Sequence, residues 1–357
     1  MMLPKPARFR AGHLAMFIVA LLFSVWNVLG EHLTRHCAGT AIACPLVLAF
    51  YREVAATPVL LAAAAATVGL AAPRDGAADG REARVDAALW ACVGGSLWGT
   101  QLLFLAGLAM TSADVAAIYM PLSPVLTTAF AALAGVERFD RRRRSDALKL
   151  GGVALGVAAG CVIALPNAVA LVRGDGGRSA VGHVALFLSQ CAQSLYTIVQ
   201  PPLLRRGHPP LRVAARAYAI AAGLMVLTLL LVAPRRSAFT GLSPVDIAII
   251  AYAAVFACAI AYGLMAWSLS RGGLEPSAVA LYGTLQPPMT VVIALVTTHE
   301  ALPSVRDALG GVLALAGLTF VALAERQRDA ALSAEGRYES IEGHAINDDG
   351  ELPASEH

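Results

Sequence analysis

The polar side chains inside the long apolar runs of this chain are suited to binding a small organic solute. The side-chain amides of Asn27, Gln101 and Gln286 can each donate and accept hydrogen bonds, and the guanidinium of Arg52 can hold a carboxylate. Polar groups at membrane depth are costly, so a functional role is the first hypothesis for them. The apolar runs contain no HExxH motif, no paired acids and no nucleophile–base set. The sequence therefore favours a binding site over a catalytic one.

Further candidates come from spacing. Gln190, Gln193 and Tyr196 follow at i, i+3 and i+6, which places them on roughly one face of a helix. Tyr119 and Tyr282 lie well inside apolar runs, which argues against a place in the interfacial aromatic belt. The alternative for the polar residues is hydrogen bonding between helices. We predict substrate-binding roles for eight residues: Asn27, Arg52, Gln101, Tyr119, Gln193, Tyr196, Tyr282 and Gln286.

Arg52 has two interpretations that depend on where its helix begins. If the helix runs over 42–62, Arg52 lies near the membrane midplane and can hold a carboxylate. If the helix begins near residue 50, the side chain snorkels to the surface. Glu53 is the adjacent residue and is expected to lie on another face, so it is not predicted to pair with Arg52.

One segment of the chain occurs twice. Its members recur at one constant offset in the numbering: Tyr119, Pro124, Thr127 and Glu137 as Tyr282, Pro287, Thr290 and Glu300. Proline inside a helix removes a backbone hydrogen bond at a cost of about 3 kcal/mol, which membrane helices tolerate where the freed carbonyls face protein or a cavity. We predict kinks or gates at four prolines: Pro121, Pro124, Pro287 and Pro288. The two glutamates end their helices, where a cap or loop salt bridge is favoured and proton coupling is the alternative.

The composition indicates a membrane protein. Hydrophobic residues make up 57% of the chain and charged residues 14%, against about 25% charged in soluble domains. Runs of roughly 20 apolar residues predict membrane-spanning helices rather than barrel strands. The first run is too long for a cleavable signal peptide and is predicted to remain as helix 1. Ten spans are predicted: 12–31, 42–71, 86–108, 113–136, 147–166, 181–204, 213–233, 244–268, 274–298 and 305–324.

The distribution of basic residues predicts the orientation. Of the 27 Lys and Arg residues, 19 fall on the side of the N-terminus and 6 on the other, so both termini are predicted to be cytosolic. Each half has five spans, so the second half must enter the membrane from the opposite side, which makes the repeats inverted. The predicted organisation is a cytosolic N-terminus (1–11), a first five-helix repeat (12–166), a linker (167–180), a second repeat (181–324) and a disordered cytosolic tail (325–357).

Other features are interpreted as structural. The six cysteines are scattered through the predicted helices and are read as packing residues. The basic run 141–144 fits a topology determinant better than a site for nucleic acid or anionic lipid. Two overlapping GxxxG steps in predicted helix 5 and a glycine cluster in helix 10 report close packing, with a homodimer seam as one interpretation. They are formed by Gly152, Gly156, Gly160, Gly310, Gly311 and Gly317.

The chain resembles the EamA-type plant drug/metabolite transporters of the nodulin-21-like, Walls-Are-Thin-related family over residues 12–324. The matching segments of the first half are Phe50-Tyr-Arg52, Gly99-x-Gln101-Leu-Leu-Phe-x-x-Gly-Leu108, Thr111-Ser-x-x-x-Ala-Ala117 and Pro121-x-x-Pro124-Val-x-Thr127. Those of the second half are Gln200-x-Pro-Leu-Leu204, Tyr262-Gly-Leu-x-x-Trp267 and Val279-Ala-Leu-Tyr282-x-x-Leu-Gln-Pro287. The chain departs from the family pattern at Glu31, Met120, Gly283 and Thr284, so a relative's substrate cannot be carried over.

The resemblance implies ten helices in two inverted repeats and a carrier for small organic metabolites such as amino acids or auxin-like acids. We expect alternating access around a central cavity lined by helices 1, 3, 4, 6, 8 and 9. A membrane-embedded enzyme and a receptor or channel are the alternatives. No catalytic residue, cofactor, metal or nucleic-acid partner is predicted. The predicted partners are the lipid bilayer and a small-molecule substrate, and the plasma membrane is favoured over the vacuolar membrane.

Overall fold

The described part of the chain is helical. The computed structural model describes residues 5–35, 43–69, 80–110, 119–120, 122–137, 143–171, 177–232, 242–298, 305, 309–313, 315–324 and 326–328. The helices are α1 (Lys5–Arg35), α2 (Ala43–Thr67), α3 (Gly80–Met110), α4 (Leu122–Leu133), α5 (Arg144–Leu171), α6 (Gly177–Arg205) and α7 (Pro210–Val232). They continue with α8 (Pro244–Ser270), α9 in three pieces (Pro276–Leu281, Tyr282–Leu285 and Gln286–Thr298) and α10 (Leu309–Arg328, without residues 314 and 325). Over these ranges there is no β-strand.

Among the residues that the structure describes, seven helices are long and apolar enough to cross a membrane: α1, α2, α3, α7, α8, α9 and α10. Large apolar side chains such as Leu14, Leu230, Leu231 and Val296 are exposed on their outer faces, which is favourable where the surroundings are lipid. The chain is therefore an all-α membrane protein. The described part of α4 is a short apolar helix of 12 residues, and residues 113–118 of its predicted span lie outside the described part. The layout of ten spans stays a prediction.

The helices of the two predicted halves pack against each other. Helix α1 lies against α8 and α9, whereas α6 lies against α3 and α4, and α2 packs on α7 and α8. The largest buried core cluster joins side chains from both halves, including Leu60 of α2, Tyr196 of α6 and Leu285 of α9. The first helix of each predicted repeat thus contacts the third and fourth helices of the other, and these contacts enclose the space between the halves.

The glycine faces of α5 and α10 meet within the same chain. A Cβ added to Gly152 would lie 2.6 Å from the carbonyl oxygen of Gly317, and one added to Gly317 would lie 2.7 Å from the carbonyl oxygen of Gly152. Such distances are too short for a real side chain, so the two backbones approach closely only because both positions are glycine. These contacts occupy the glycines that a homodimer seam would need, and the structure gives the predicted homodimer no support.

We expect Gly152→Ala to destabilise the protein and Gly151→Ala to stabilise it. A Cβ at Gly152 meets backbone, which cannot rotate away, and overpacking of this kind costs about 1–3 kcal/mol. A Cβ at Gly151 meets only Phe320 at 4.0 Å, so it gains the helix propensity of alanine, up to about 1 kcal/mol. Denaturant unfolding in micelles of both variants measures the two changes in free energy. Equal changes would contradict the close α5–α10 contact.

Glu137 is buried at the end of α4 and accepts three hydrogen bonds. Both the backbone N–H and the hydroxyl of Ser277 donate to its carboxylate at 2.8 Å, and Lys149 Nζ donates at 2.9 Å. Lys149 also pairs with Glu275, which pairs with Arg328 of α10. The carboxylate therefore caps the N-terminus of α9, where negative charge is favourable. Its repeat counterpart, Glu300, lies outside the described residues.

Candidate substrate-binding cavity

A cavity of about 200 Å³ lies between helices of both halves. It is smaller than the roughly 300–1,000 Å³ of sites for drug-sized ligands, so it suits a small metabolite. Its walls come from α1, α2, α3, the start of α4, α6, α8 and α9. The lining residues are Met16, Val19, Ala20, Phe23, Trp26, Asn27, Arg52, Thr100, Gln101, Phe104, Met120, Ser123, Ser189, Gln190, Gln193, Thr197, Ala257, Cys258, Tyr262, Met265, Val279, Ala280, Tyr282, Gly283 and Gln286.

Six of the eight predicted binding residues line this cavity: Asn27, Arg52, Gln101, Gln193, Tyr282 and Gln286. Tyr196 does not, because it is fully buried behind the wall and packs edge-on against the ring of Tyr262 at 5.6 Å. Tyr119 also lies outside the lining, where its neighbour Met120 contributes instead. Asn27 lines the cavity, and its Nδ2 also donates a hydrogen bond to Thr290 Oγ1 of α9 at 3.3 Å.

Arg52 provides a cation at the cavity wall. Helix α2 begins at Ala43, so Arg52 lies about 13 Å along the helix axis from its start, within the apolar span Leu46–Thr67. Its guanidinium lies over the ring of Trp26 at 5.4 Å, a cation–π geometry that orients the charge. The side chain is 12% exposed. Arg52 thus offers a fixed positive charge to a solute in the cavity.

The expectation that Glu53 does not pair with Arg52 was wrong. Arg52 Nη2 donates to Glu53 Oε1 at 3.2 Å. Adjacent helical residues point about 100° apart, but both side chains are long enough to turn towards each other where the interior offers the carboxylate no water. The sequence rule concerned the positions of Cβ atoms and missed the reach of the side chains.

The predicted proline break in the second half coincides with a change of helix type. Residues Tyr282–Leu285 form one 3₁₀ turn between two α-helical pieces. Pro287 has no N–H to give to the carbonyl of Gly283, and the N–H of Gln286 bonds to that carbonyl instead. The turn brings Tyr282, Gly283 and Gln286 to the cavity wall. Pro288 follows Pro287 in the first turn of the next helical piece, where a missing N–H costs little.

In the first half, Pro124 is buried in the first turn of α4, a position that suits proline. Its carbonyl accepts a hydrogen bond from Thr128 Oγ1 at 2.8 Å. Pro121 lies outside the described residues.

A π-helical segment, Ala253–Ile260, interrupts α8 beside the cavity. Such segments insert one extra residue per turn and are frequent at functional sites. Here the segment packs against α2 and brings Ala257 and Cys258 to the lining. It therefore contributes to the part of the cavity wall that adjoins α2.

Two tyrosine–histidine pairs tie the halves together. The Tyr282 hydroxyl shares a hydrogen bond with Nδ1 of His13 at 2.7 Å, and the Tyr119 hydroxyl shares one with Nδ1 of His183 at 2.9 Å. The ring geometries are nearly equal, with centroids 6.0 and 5.8 Å apart and planes at 45° and 47°. The tyrosines are counterparts in the repeated segment, and the histidines lie on the first helices of the two halves, α1 and α6. The two pairs are therefore repeat counterparts.

A second pair of matching contacts lies deeper in the bundle. Ser24 Oγ donates to the carbonyl oxygen of Gln286, and Ser194 Oγ donates to that of Ser123, both at 3.2 Å. The serines are separated in the sequence by the same interval as the two histidines, and the acceptors by the same interval as the two tyrosines. Each contact links the first helix of one half to the fourth helix of the other, α9 or α4. Both serines therefore add a hydrogen bond between the halves at a residue that directly precedes a proline, Pro287 or Pro124.

The cavity-lining residues of α1 and α6 differ in polarity, although the two helices occupy equivalent positions in the two halves. His13 of α1 and His183 of α6 define a constant spacing between equivalent positions of the two helices. At this spacing, apolar lining residues of α1 correspond to polar lining residues of α6. The counterparts are Val19 and Ser189, Ala20 and Gln190, and Phe23 and Gln193. One wall therefore offers hydrocarbon and aromatic rings, and the facing wall offers hydroxyl and amide groups. This arrangement fits a solute with one apolar side and one polar side.

We expect Tyr282→Phe to lower transport and Tyr119→Phe to leave it nearly unchanged. Both substitutions remove a hydroxyl bonded to a histidine, but only Tyr282 lines the cavity. A lost hydrogen bond of about 0.5–1.5 kcal/mol corresponds to a fall of about three- to tenfold. Initial uptake rates in proteoliposomes at equal protein content measure both variants. A larger effect at Tyr119 would place the site elsewhere.

Sequence reasoning missed four side chains whose hydrogen bonds link the two halves around the cavity. His13, His183, Ser24 and Ser194 were not singled out, although a systematic comparison of α1 with α6 at a constant interval would have found all four. Trp26 was missed because its role depends on where Arg52 points. Over the described ranges, no three His, Cys, Asp or Glu side chains form a group that could hold a metal ion.

The chain is similar to a transporter family, to a plant protein and to a protein of known structure. Residues 180–323 match the model of the EamA-like transporter family. The chain is 26% identical over 275 residues to Protein WALLS ARE THIN 1 of Arabidopsis thaliana, a match that covers 70% of this chain and 68% of that protein. A crystal structure described only as that of a protein superposes with a TM-score of 0.66 at 18% identity, covering 90% of this chain and 98% of that one. At that identity the similarity concerns the fold alone.

Proposed function

We propose that this chain, an EamA-type membrane transporter related to the Walls-Are-Thin proteins, carries small organic acids such as amino acids or auxin-like acids by alternating access. The observation that carries the proposal is the cavity with Arg52 at its wall and two chemically different faces. The solute's carboxylate binds the guanidinium in a charge-assisted hydrogen bond. Its apolar body lies against Val19, Ala20 and Phe23, and its remaining polar groups face Gln190 and Gln193.

The eight predicted residues then divide into two roles. Asn27, Arg52, Gln101, Gln193, Tyr282 and Gln286 contact the solute, because they line the cavity. Tyr119 and Tyr196 support the walls from behind, through His183 and Tyr262. The four predicted prolines shape the breaks at which backbone groups face the cavity.

Alternating access rests on the proposed inverted repeat. The matched tyrosine–histidine pairs and the matched serine–carbonyl contacts support the repeat, since each pair joins one half to the other in the same way. In an inverted repeat, each half can adopt the conformation of the other. When the two halves swap conformations, the cavity opens to the opposite side of the membrane. We further propose ten spans, cytosolic termini and a plasma-membrane location, on the basis of the predicted spans, the basic-residue distribution and the family resemblance.

Uptake of labelled solutes into proteoliposomes tests this function. The panel contains amino acids and indole-3-acetate, and protein-free liposomes measure passive diffusion of each. We expect saturable uptake of at least one panel member. No uptake above the protein-free control for the whole panel, with folded protein in both orientations, would contradict the substrate class. Linear, non-saturating uptake would favour a channel.

A further inference from the structure

Behind the cavity wall, Glu53 is a carboxylate with no contact to solvent. Its exposure is 0%, and its Oε1 accepts the hydrogen bond from Arg52 Nη2 at 3.2 Å. Among the described residues its Oε2 has no hydrogen-bond partner, and neither has Nε of Arg52. One guanidinium therefore stands between a buried carboxylate on one side and the cavity on the other.

A solute carboxylate and Glu53 compete for the same cation. An anion that binds Arg52 from the cavity draws the guanidinium towards itself and away from Oε1. A buried carboxylate that loses its partner is strongly destabilised as an anion, because neither water nor another donor compensates its charge. Such a group takes up a proton instead of remaining charged.

We propose that Glu53 is the proton-binding site of this transporter, and that a solute carboxylate on Arg52 and a proton on Glu53 are bound together. The inference rests on the proposed function. In the step, a hydronium ion that enters from the solvent together with the solute gives its proton to Oε2 and leaves as water, so Glu53 becomes a neutral carboxyl group while Arg52 remains a cation and pairs with the solute. The proton on Glu53 therefore balances the negative charge of the solute carboxylate on Arg52. By linkage, each of the two ligands raises the affinity for the other by the same factor.

The other titratable side chains around Glu53 do not take up or release a proton in the physiological pH range. They are Arg52 on α2, Tyr196 on α6, Tyr218 on α7, and Cys258 and Tyr262 on α8. Arginine stays charged, and phenols and thiols stay neutral, throughout the physiological pH range. Within this cluster, Glu53 is the group whose charge can change.

Glu137, the other buried carboxylate considered for coupling, has a different environment. Three donors from Ser277 and Lys149 saturate it, and it does not line the cavity. A solute cannot reach its partners. Its hydrogen bonds therefore serve the helix junction.

The test uses the full-length chain in two measurements. In proteoliposomes, labelled phenylalanine is followed as exchange without a pH gradient and as accumulation under an inward proton gradient. In lipid nanodiscs without any organic solute, infrared difference spectroscopy follows the carbonyl band of protonated carboxyl groups during a pH titration. The variants are Glu53→Gln and, as the matched control, Glu82→Gln, which removes an exposed acid at the start of α3.

For the wild type and Glu82→Gln we expect phenylalanine to accumulate at least tenfold under the proton gradient. For Glu53→Gln we expect exchange to continue, with accumulation reduced to the level seen without a gradient and the titrating infrared band lost. Gradient-driven accumulation by Glu53→Gln, or the same titrating band in that variant, would overturn the proton site. Absence of phenylalanine exchange in the wild type would contradict the proposed substrate class, and the infrared titration would still decide the role of Glu53.

Discussion

Replacing Arg52 with glutamine is expected to lower exchange of a carboxylate solute by about 10- to 100-fold. The guanidinium is the cation that lines the described cavity, and Trp26 fixes its orientation. A hydrogen bond to a charged group contributes about 1.5–3 kcal/mol, and every 1.4 kcal/mol is about tenfold in affinity. Exchange of labelled phenylalanine in proteoliposomes measures the loss.

Two further variants separate binding from folding. Arg52→Gln alone leaves Glu53 buried without its cation, and the free-energy cost of an unpaired carboxylate, or of protonating it, destabilises the fold. The double variant Arg52→Gln with Glu53→Gln removes both charges, so we expect its stability to recover and its exchange to stay low. Arg52→Lys keeps the charge without the planar fork and is expected to be intermediate. Wild-type exchange by the double variant would show that Arg52 does not bind the solute.

Replacing Glu137 with alanine is expected to lower the free energy of unfolding by about 3 kcal/mol. The substitution leaves Lys149 with less compensating charge and removes the acceptor for the N–H of Ser277. Breaking a buried ion pair by removing one partner costs about 3–5 kcal/mol, and Glu275, which also pairs with Lys149, keeps the value near the lower end. Denaturant unfolding in micelles measures the change.

Glu137→Gln and Glu82→Ala serve as controls for this substitution. The glutamine retains an oxygen that can accept from Ser277, so we expect a smaller loss than for alanine. Glu82 is exposed, and its removal is expected to change stability by less than about 0.5 kcal/mol. A Glu137→Ala variant that keeps its stability but has lost transport would contradict the structural role. It would indicate instead that Glu137 takes part in transport.

The membrane class and six of the residues that line the cavity could be predicted because they depend on local rules. Long apolar runs must form helices in lipid, and polar residues within them face protein or cavity. Gln101, Gln193 and Gln286 follow from that rule alone, and all three line the cavity. The break in α9 follows from Pro287, whose missing N–H is a property of the residue itself.

What could not be predicted depends on contacts between distant parts of the chain. Tyr119 and Tyr282 are equivalent in the repeated segment, yet only Tyr282 lines the cavity. Their histidine partners lie on other helices, and spacing within one helix carries no information about them. The Arg52–Glu53 pair was missed for a related reason, since the lack of other partners in the interior turns the two side chains together.

Counterflow in proteoliposomes loaded with unlabelled phenylalanine tests the central claim most directly, that one cavity with a cation at its wall carries a small organic acid across the membrane. Labelled phenylalanine and labelled phenylalaninamide are compared, because they have nearly the same shape and only the first has a carboxylate. The account predicts transient accumulation of labelled phenylalanine above equilibrium and none of the amide. Equal behaviour of the two solutes, or no accumulation of either by folded protein, would contradict it.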